Sequence, residues 1–242
     1  MTDVVIMSTP NFRFKQFTIR HDKCAMKVGT DGVLLGAWTP IKGERLKVKG
    51  ERRILDVGTG SGLIARMLMQ RCPEAEVEGI DIDEAAVEQA RENGVNASLS
   101  RLQDWNGGPY DLIVSNPPYF QNSLKNPDKG RQTARHTDTL SYEELIRHSA
   151  RLLKEEGCLA LILPAEAEME VRGLAAAERL SLTHVTRVFS KEGKAAKRVL
   201  LLFESTKLRS YVITTKEDSL VLEDEKGGRS AAYSELCKEF YL

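Results

Sequence analysis

Residues 53–62 read Arg53-Ile54-Leu55-Asp56-Val57-Gly58-Thr59-Gly60-Ser61-Gly62 and run into the helical pattern Leu63–Arg71. An apolar run of strand length that breaks into alternating glycines and resumes as a helix is one βα unit. Glycines let the backbone turn tightly and approach a ligand, whose polar groups meet the free N–H groups at the helix start. The spacing of Gly58, Gly60 and Gly62 is Gly-x-Gly-x-Gly, whereas dinucleotide sites carry Gly-x-Gly-x-x-Gly. With Asp56 leading it, this turn suits a zwitterionic adenosyl amino acid better than a pyrophosphate. Such turns also serve as plain βα connections, so the turn alone leaves both readings open.

Outward from this turn the rhythm repeats. Apolar runs of strand length stand at Arg53–Val57, Val77–Asp81, Tyr110–Ser115, Cys158–Leu163 and Arg198–Phe203, with a weaker one at Ala97–Leu102. Helical patterns lie between them at Leu63–Arg71, Glu84–Glu92, Tyr142–Lys154 and Ala165–Arg179. This alternation predicts an α/β fold with a mostly parallel sheet covered by helices on both faces. Ser141 and Glu144 form a capping-box pattern, and Asp83 suits the cap of Glu84–Glu92. Residues 1–50 and the tail from Lys207 stand outside the rhythm, and the polar loop Gln121–Thr139 is too long to be only a connector.

The chain has 242 residues, 41% hydrophobic and 29% charged, which suits one domain with its own core. No stretch is long and apolar enough for a membrane span or a signal peptide. Four scattered cysteines, Cys24, Cys72, Cys158 and Cys237, make neither a disulfide nor a zinc framework, so a reducing cytoplasm and no metal are the expectation. Net charge is zero, yet residues 1–71 hold thirteen Lys/Arg against six Asp/Glu, and Lys191–Arg209 is a second basic stretch. The asymmetry suits steering of a polyanion; a solvated face balanced elsewhere is the plainer alternative.

Two further features carry chemistry. Asp81 ends the next strand, where an acid binds both hydroxyls of a ribose. The strand Tyr110–Ser115 runs directly into Asn116-Pro117-Pro118-Tyr119, whose prolines fix φ and remove two backbone donors. An exocyclic amine is a poor nucleophile because its lone pair is delocalised. Two acceptors aimed at its N–H groups draw the nitrogen toward tetrahedral geometry as positive charge develops. The side-chain oxygen of Asn116 and the carbonyl of Pro117 can supply that pair, and Tyr119 can stack on a base; a proline-stiffened loop with an incidental Asn is the plainer alternative. No nucleophilic residue or metal is needed.

Asp56–Gly62, Asp81 and Asn116–Tyr119, in this order, resemble the Rossmann-like S-adenosylmethionine-dependent methyltransferases that act on amide or base nitrogens. The resemblance implies a seven-stranded sheet whose last hairpin is antiparallel. Phe14-Lys15-Gln16-Phe17, the segment His21–Trp38, Tyr233 and Phe240-Tyr241-Leu242 narrow it: the whole chain is similar to the bacterial tRNA1(Val) adenine-N6 methyltransferases. That similarity implies methylation of the adenine just 3′ of the anticodon, one domain over 1–242, and an N-terminal extension, 1–50, beside the cofactor ahead of a core, 51–206, and a tail, 207–242. It makes Thr30 and Asp31 candidate cofactor contacts. Related enzymes carry an Asp that reaches the cofactor adenine where this chain has Arg101, and Gln103 or Asp104 are the candidate substitutes. Lys15, Arg20, Lys23, Arg131 and Arg135 are candidate RNA contacts. A protein glutamine or an rRNA base remains an alternative acceptor, and a non-catalytic RNA-binding module a remoter one.

Overall fold

The computed structural model describes residues 10–24, 26–41, 52–118, 140–206 and 214–242. A short antiparallel pair, β1 (Asn11–Arg13) and β2 (Thr18–Arg20), precedes helix α1 (Thr30–Trp38). The βα rhythm then runs through β3 (Arg53–Val57), α2 (Leu63–Arg71), β4 (Glu76–Asp81), α3 (Glu84–Glu92) and β5 (Asn96–Leu99). It continues with β6 (Tyr110–Ser115), α4 (Tyr142–Leu152), β7 (Leu153–Pro164) and α5 (Glu168–Ala177). Strands β8 (Leu180–Phe189), β9 (Ala196–Ser205) and β10 (Lys216–Val221) follow, then α6 (Ala231–Leu236).

One sheet takes the order β10-β8-β9-β7-β6-β3-β4-β5. Strand β9 alone runs against its neighbours, β7 and β8, and all other pairs are parallel. The sheet therefore has eight strands where the resemblance implies seven. The additional one is β10, which adds to the edge beside β8. Its sequence, Lys216-Glu217-Asp218-Ser219-Leu220-Val221, buries only Leu220, so it lacks the continuous apolar run of an inner strand.

Alternation along the inner strands fills two cores. Ile54, Leu112, Val114, Ala160 and Ile162 face a layer that includes residues of α1, α2 and α3. Leu55, Ile113, Leu159, Leu161 and Leu163 face α4 and α5 on the other side. Helix α4 opens with the Ser141–Glu144 capping box and ends two residues before the expected Lys154, because Leu153 already pairs with Tyr110 in the sheet. A 3-10 turn, Ala165–Ala167, stands where the sequence predicts the first turn of α5.

The segment between β1 and β2 meets the C-terminal tail. Lys15 donates its backbone N–H to the Phe240 carbonyl at 2.9 Å, and the Phe14 and Tyr241 rings stack 6.2 Å apart. No helix among the described residues is long and apolar enough to cross a membrane.

Candidate active site

From β3 the chain steps outward through β4 to β5, then returns to the other side of β3 as β6. At such a reversal the loops part and leave a crevice at the carboxyl ends of the strands. A cleft of about 680 Å³ opens there, walled by the glycine turn, the tip of β4, the segment after β5, the start of the segment after β6 and the first turn of α1.

The floor is the glycine turn. Gly58 and Gly60 have φ of +69° and +55°, and a Cβ built on either meets nothing within 4 Å. Left-handed backbone facing open space is a cradle for a ligand's polar end. Gly62, the N-cap of α2, steers the chain into the helix and does not line the cleft.

Asp56 lies beneath the turn, fully buried, instead of lining the cleft. Its Oδ2 accepts from the Thr59 hydroxyl at 2.8 Å and the Ala65 N–H at 3.2 Å. Burial pushes its carboxyl up to about 7, against the pull of those two bonds. Asp56 thus holds the turn's shape.

Asp81 reaches the cleft from the tip of β4, where its Oδ2 accepts from the Gly60 N–H at 2.9 Å and its Oδ1 from the Asp83 N–H at 3.0 Å. Asp83 itself caps α3 by accepting from the Ala85 N–H at 2.9 Å. Asp83 thus takes the cap role that the sequence allots it.

Across β3, the Ser115 hydroxyl donates to the Val57 carbonyl at 2.8 Å and fastens the end of β6 to the end of β3. Asn116, half-buried, and Pro117, buried, then open onto the cleft beside the glycine turn. Tyr119, Arg131 and Arg135 lie outside the described residues.

Beyond β5, Arg101 and Gln103 line the cleft and Asp104 does not. Gln103 donates to the Glu144 carboxylate at 3.2 Å. The Ser141 N–H and hydroxyl, then the Gln103 amide, hold Glu144 below the usual carboxylate range.

Thr30 and Asp31 sit in the first turn of α1, both against the cleft. Asp31 accepts from Arg198 Nε of β9 at 2.8 Å, and Arg71 closes the other end of α1 by donating to the Gly36 and Thr39 carbonyls, each at 2.7 Å. Asn93 of the α3 C-cap is a clasp that pattern reading does not find. It accepts from the Arg20 N–H at 2.9 Å and donates to the Arg20 carbonyl at 2.7 Å and the Ser61 carbonyl at 2.8 Å. It thereby ties the N-terminal segment to the glycine turn.

The three described RNA candidates do not line the cleft. Lys23 is taken up by Glu88 at 3.0 Å and Glu92 at 2.7 Å, and Lys15 Nζ donates to the Lys238 carbonyl. Arg20 is exposed. No group of three or more His, Cys, Asp or Glu that could hold a metal occurs among the described residues.

The family description "Methyltransferase small domain" matches residues 43–189. A protein of Bacteroides fragilis named tRNA1(Val) (adenine(37)-N6)-methyltransferase is 45% identical over 98% of this chain and 99% of its own. The chain belongs to this methyltransferase family. A relative of the same name from Parabacteroides distasonis is 46% identical over the same shares of both chains. Among solved structures, one described as a predicted O-methyltransferase from Agrobacterium tumefaciens superposes with a TM-score of 0.65 at 18% identity, covering 87% of this chain and 96% of its own. At that identity the likeness concerns the Rossmann-like fold alone. Gly58 to Ser61, Asp81 and Asn116 to Pro118 thus wall one cleft of this methyltransferase.

Proposed function

We propose that this protein methylates N6 of adenine 37 in tRNA1(Val), using S-adenosylmethionine, in the bacterial cytoplasm. The observation that carries the reading is that Asn116 and Pro117 open onto the same cleft as Asp81 and the glycine turn. The full-length relatives named for this reaction supply the acceptor.

The empty space above Gly58 and Gly60 fits the amino-acid end of the cofactor, and the lone pairs that Asp81 keeps beyond Gly60 and Asp83 fit ribose hydroxyls. S-adenosylmethionine supplies an electrophilic methyl group on a sulfonium. Thr30 and Asp31 close the cleft over it, Gln103 meets its adenine, and Asp56 acts from below through the turn. Asp104, which does not line the cleft, has no direct contact in this reading.

The chain's own part in the chemistry is orientation and charge. The Asn116 oxygen and the Pro117 carbonyl accept from the two N–H bonds of the target amine, favouring the form in which the nitrogen lone pair points at the methyl. Tyr119 stacks on the base once it has left the RNA stack. Arg20, Arg131 and Arg135 remain candidates for phosphate contact, as does the exposed Lys15, whereas Lys23 is paired with Glu88 and Glu92.

Incubating a tRNA1(Val) transcript with the protein and cofactor, then digesting it to nucleosides, tests the reading. N6-methyladenosine is expected from the natural transcript and none from one with guanine at position 37. Equal methylation of both would place the acceptor elsewhere.

A further inference from the structure

We infer that Glu144 is a positioning residue that turns the amide of Gln103 so that its oxygen, not its nitrogen, faces the adenine end of the cleft. The inference rests on the cofactor reading above. With the ribose held at Asp81 on β4 and the reacting carbon at Asn116 on β6, the base lies on the far side of Asp81. There it meets Ile82 and the segment Ser100–Gln103, which line the cleft next to β5.

A primary amide has nearly the same shape in its two orientations, one presenting a donor and the other an acceptor. Something must choose between them. A carboxylate only accepts, so Glu144 Oε1 takes the Nε2 side of Gln103, at 3.2 Å. Glu144 is itself held in place. Its Oε2 accepts from the Ser141 N–H at 3.0 Å and the Ser141 hydroxyl at 2.8 Å. These bonds favour its ionised form, so at neutral pH it has no proton with which to reverse the pair. Gln103 Oε1 is then left as an acceptor for the cleft.

Adenine carries a 6-amino donor and hypoxanthine a 6-oxo acceptor at the same place. A fixed amide oxygen bonds the first and opposes the second lone pair to lone pair. The α4 capping box would thereby serve as a specificity device, reaching the cofactor through one intermediate side chain.

Calorimetry on the full chain with S-adenosylhomocysteine and S-inosylhomocysteine tests this. The wild type is expected to favour the adenine compound by about 10- to 100-fold, the range of one hydrogen bond exchanged for a repulsive contact. Glu144→Ala frees the amide to turn over, and the preference should fall to within about threefold, mostly by tighter binding of the inosine compound. Glu144→Gln keeps the size and lets the pair invert, so the same collapse is expected if Glu144→Ala folds poorly. Ser141→Ala removes the hydroxyl half of the cap but leaves the carboxylate, and should keep the wild-type preference.

An unmoved ratio in both Glu144 variants, or no preference in the wild type, would overturn the inference. Normal binding of S-adenosylhomocysteine in that case would leave the cofactor assignment standing. Failure of the wild type to bind either compound would remove both.

Discussion

Asp81 Oδ2 accepts the backbone N–H of Gly60 at 2.9 Å, so the acid at the tip of β4 and the turn after β3 form one unit. Their neighbouring strands run in parallel register, with Val57 opposite Ile80. Asp81→Ala removes the proposed ribose acceptor and loosens the turn together. Cofactor affinity, read by calorimetry with S-adenosylhomocysteine, is expected to fall by roughly tenfold or more, since charge-assisted bonds are worth about 1.5–3 kcal/mol each. Unchanged affinity would place the ribose elsewhere.

Asp56 predicts a pH dependence of stability. Its folded value, about 7, lies above the ordinary 3.8 because burial penalises the charge. Between those values the folded state holds a proton that the unfolded state has released, so stability falls as pH rises from about 4 toward 7. Asp56→Asn accepts from Thr59 and Ala65 without ionising. Urea midpoints at pH 5 and pH 7.5 should differ less in Asp56→Asn than in the wild type; equal differences would mean that Asp56 does not titrate in this window.

Gly36 allows the close approach of α1 to α2. A Cβ there would lie 2.6 Å from Met67 Sδ and 3.0 Å from Met67 Cβ, and Met67 is fully buried. Overpacking that costs about 1–3 kcal/mol should outweigh the alanine's better helix propensity of about 1 kcal/mol, so Gly36→Ala is expected to be destabilised by up to about 2 kcal/mol. Chemical denaturation reads this directly, and a more stable variant would show that Met67 has room to move.

Much of this architecture is legible in the sequence because inner strands advertise themselves. Arg53–Val57 and Tyr110–Ser115 are found with the bounds predicted, since continuous apolar runs and glycine or proline breaks leave little choice. Strand β8 is not legible individually, because Ser181, Thr183, His184, Thr186 and Arg187 interrupt its apolar pattern. Its polar groups are instead bonded across elements, as Thr186 is to Trp38 Nε1 at 2.8 Å. Helix α1 escapes the rhythm because it is apolar nearly all round, with Gly32 through Ala37 all buried. In the site, motif residues could be named, but partners distant in sequence could not: nothing local links Asn93 to Arg20 or Glu144 to Gln103.

The turn between β8 and β9 offers a candidate tRNA contact. Residues 190–198 hold four cations and one carboxylate. Lys191 pairs with Glu223 at 3.2 Å, while Lys194 and Lys197 are exposed. Ser115 is level with Leu161 and Leu161 with Leu201, so β9 starts five residues, about 16 Å, beyond the end of β6 on the cleft side. Reversing Lys194 and Lys197 to Glu should weaken tRNA binding several-fold and lower the slope of log affinity against log salt by about 2, with cofactor binding intact. An unchanged slope would mark the turn as a solvated surface.

The central claim is that Asn116 stabilises the amine as it becomes positively charged, and its most direct test is the single-turnover rate of Asn116→Ala on tRNA1(Val) with saturating cofactor. The rate of N6-methyladenosine formation is predicted to fall by about two to three orders of magnitude, as when one preorganised electrostatic partner is lost. S-adenosylhomocysteine affinity should barely change, because the glycine turn and Asp81 are left in place. A variant that methylates adenine 37 at near the wild-type rate would contradict the account.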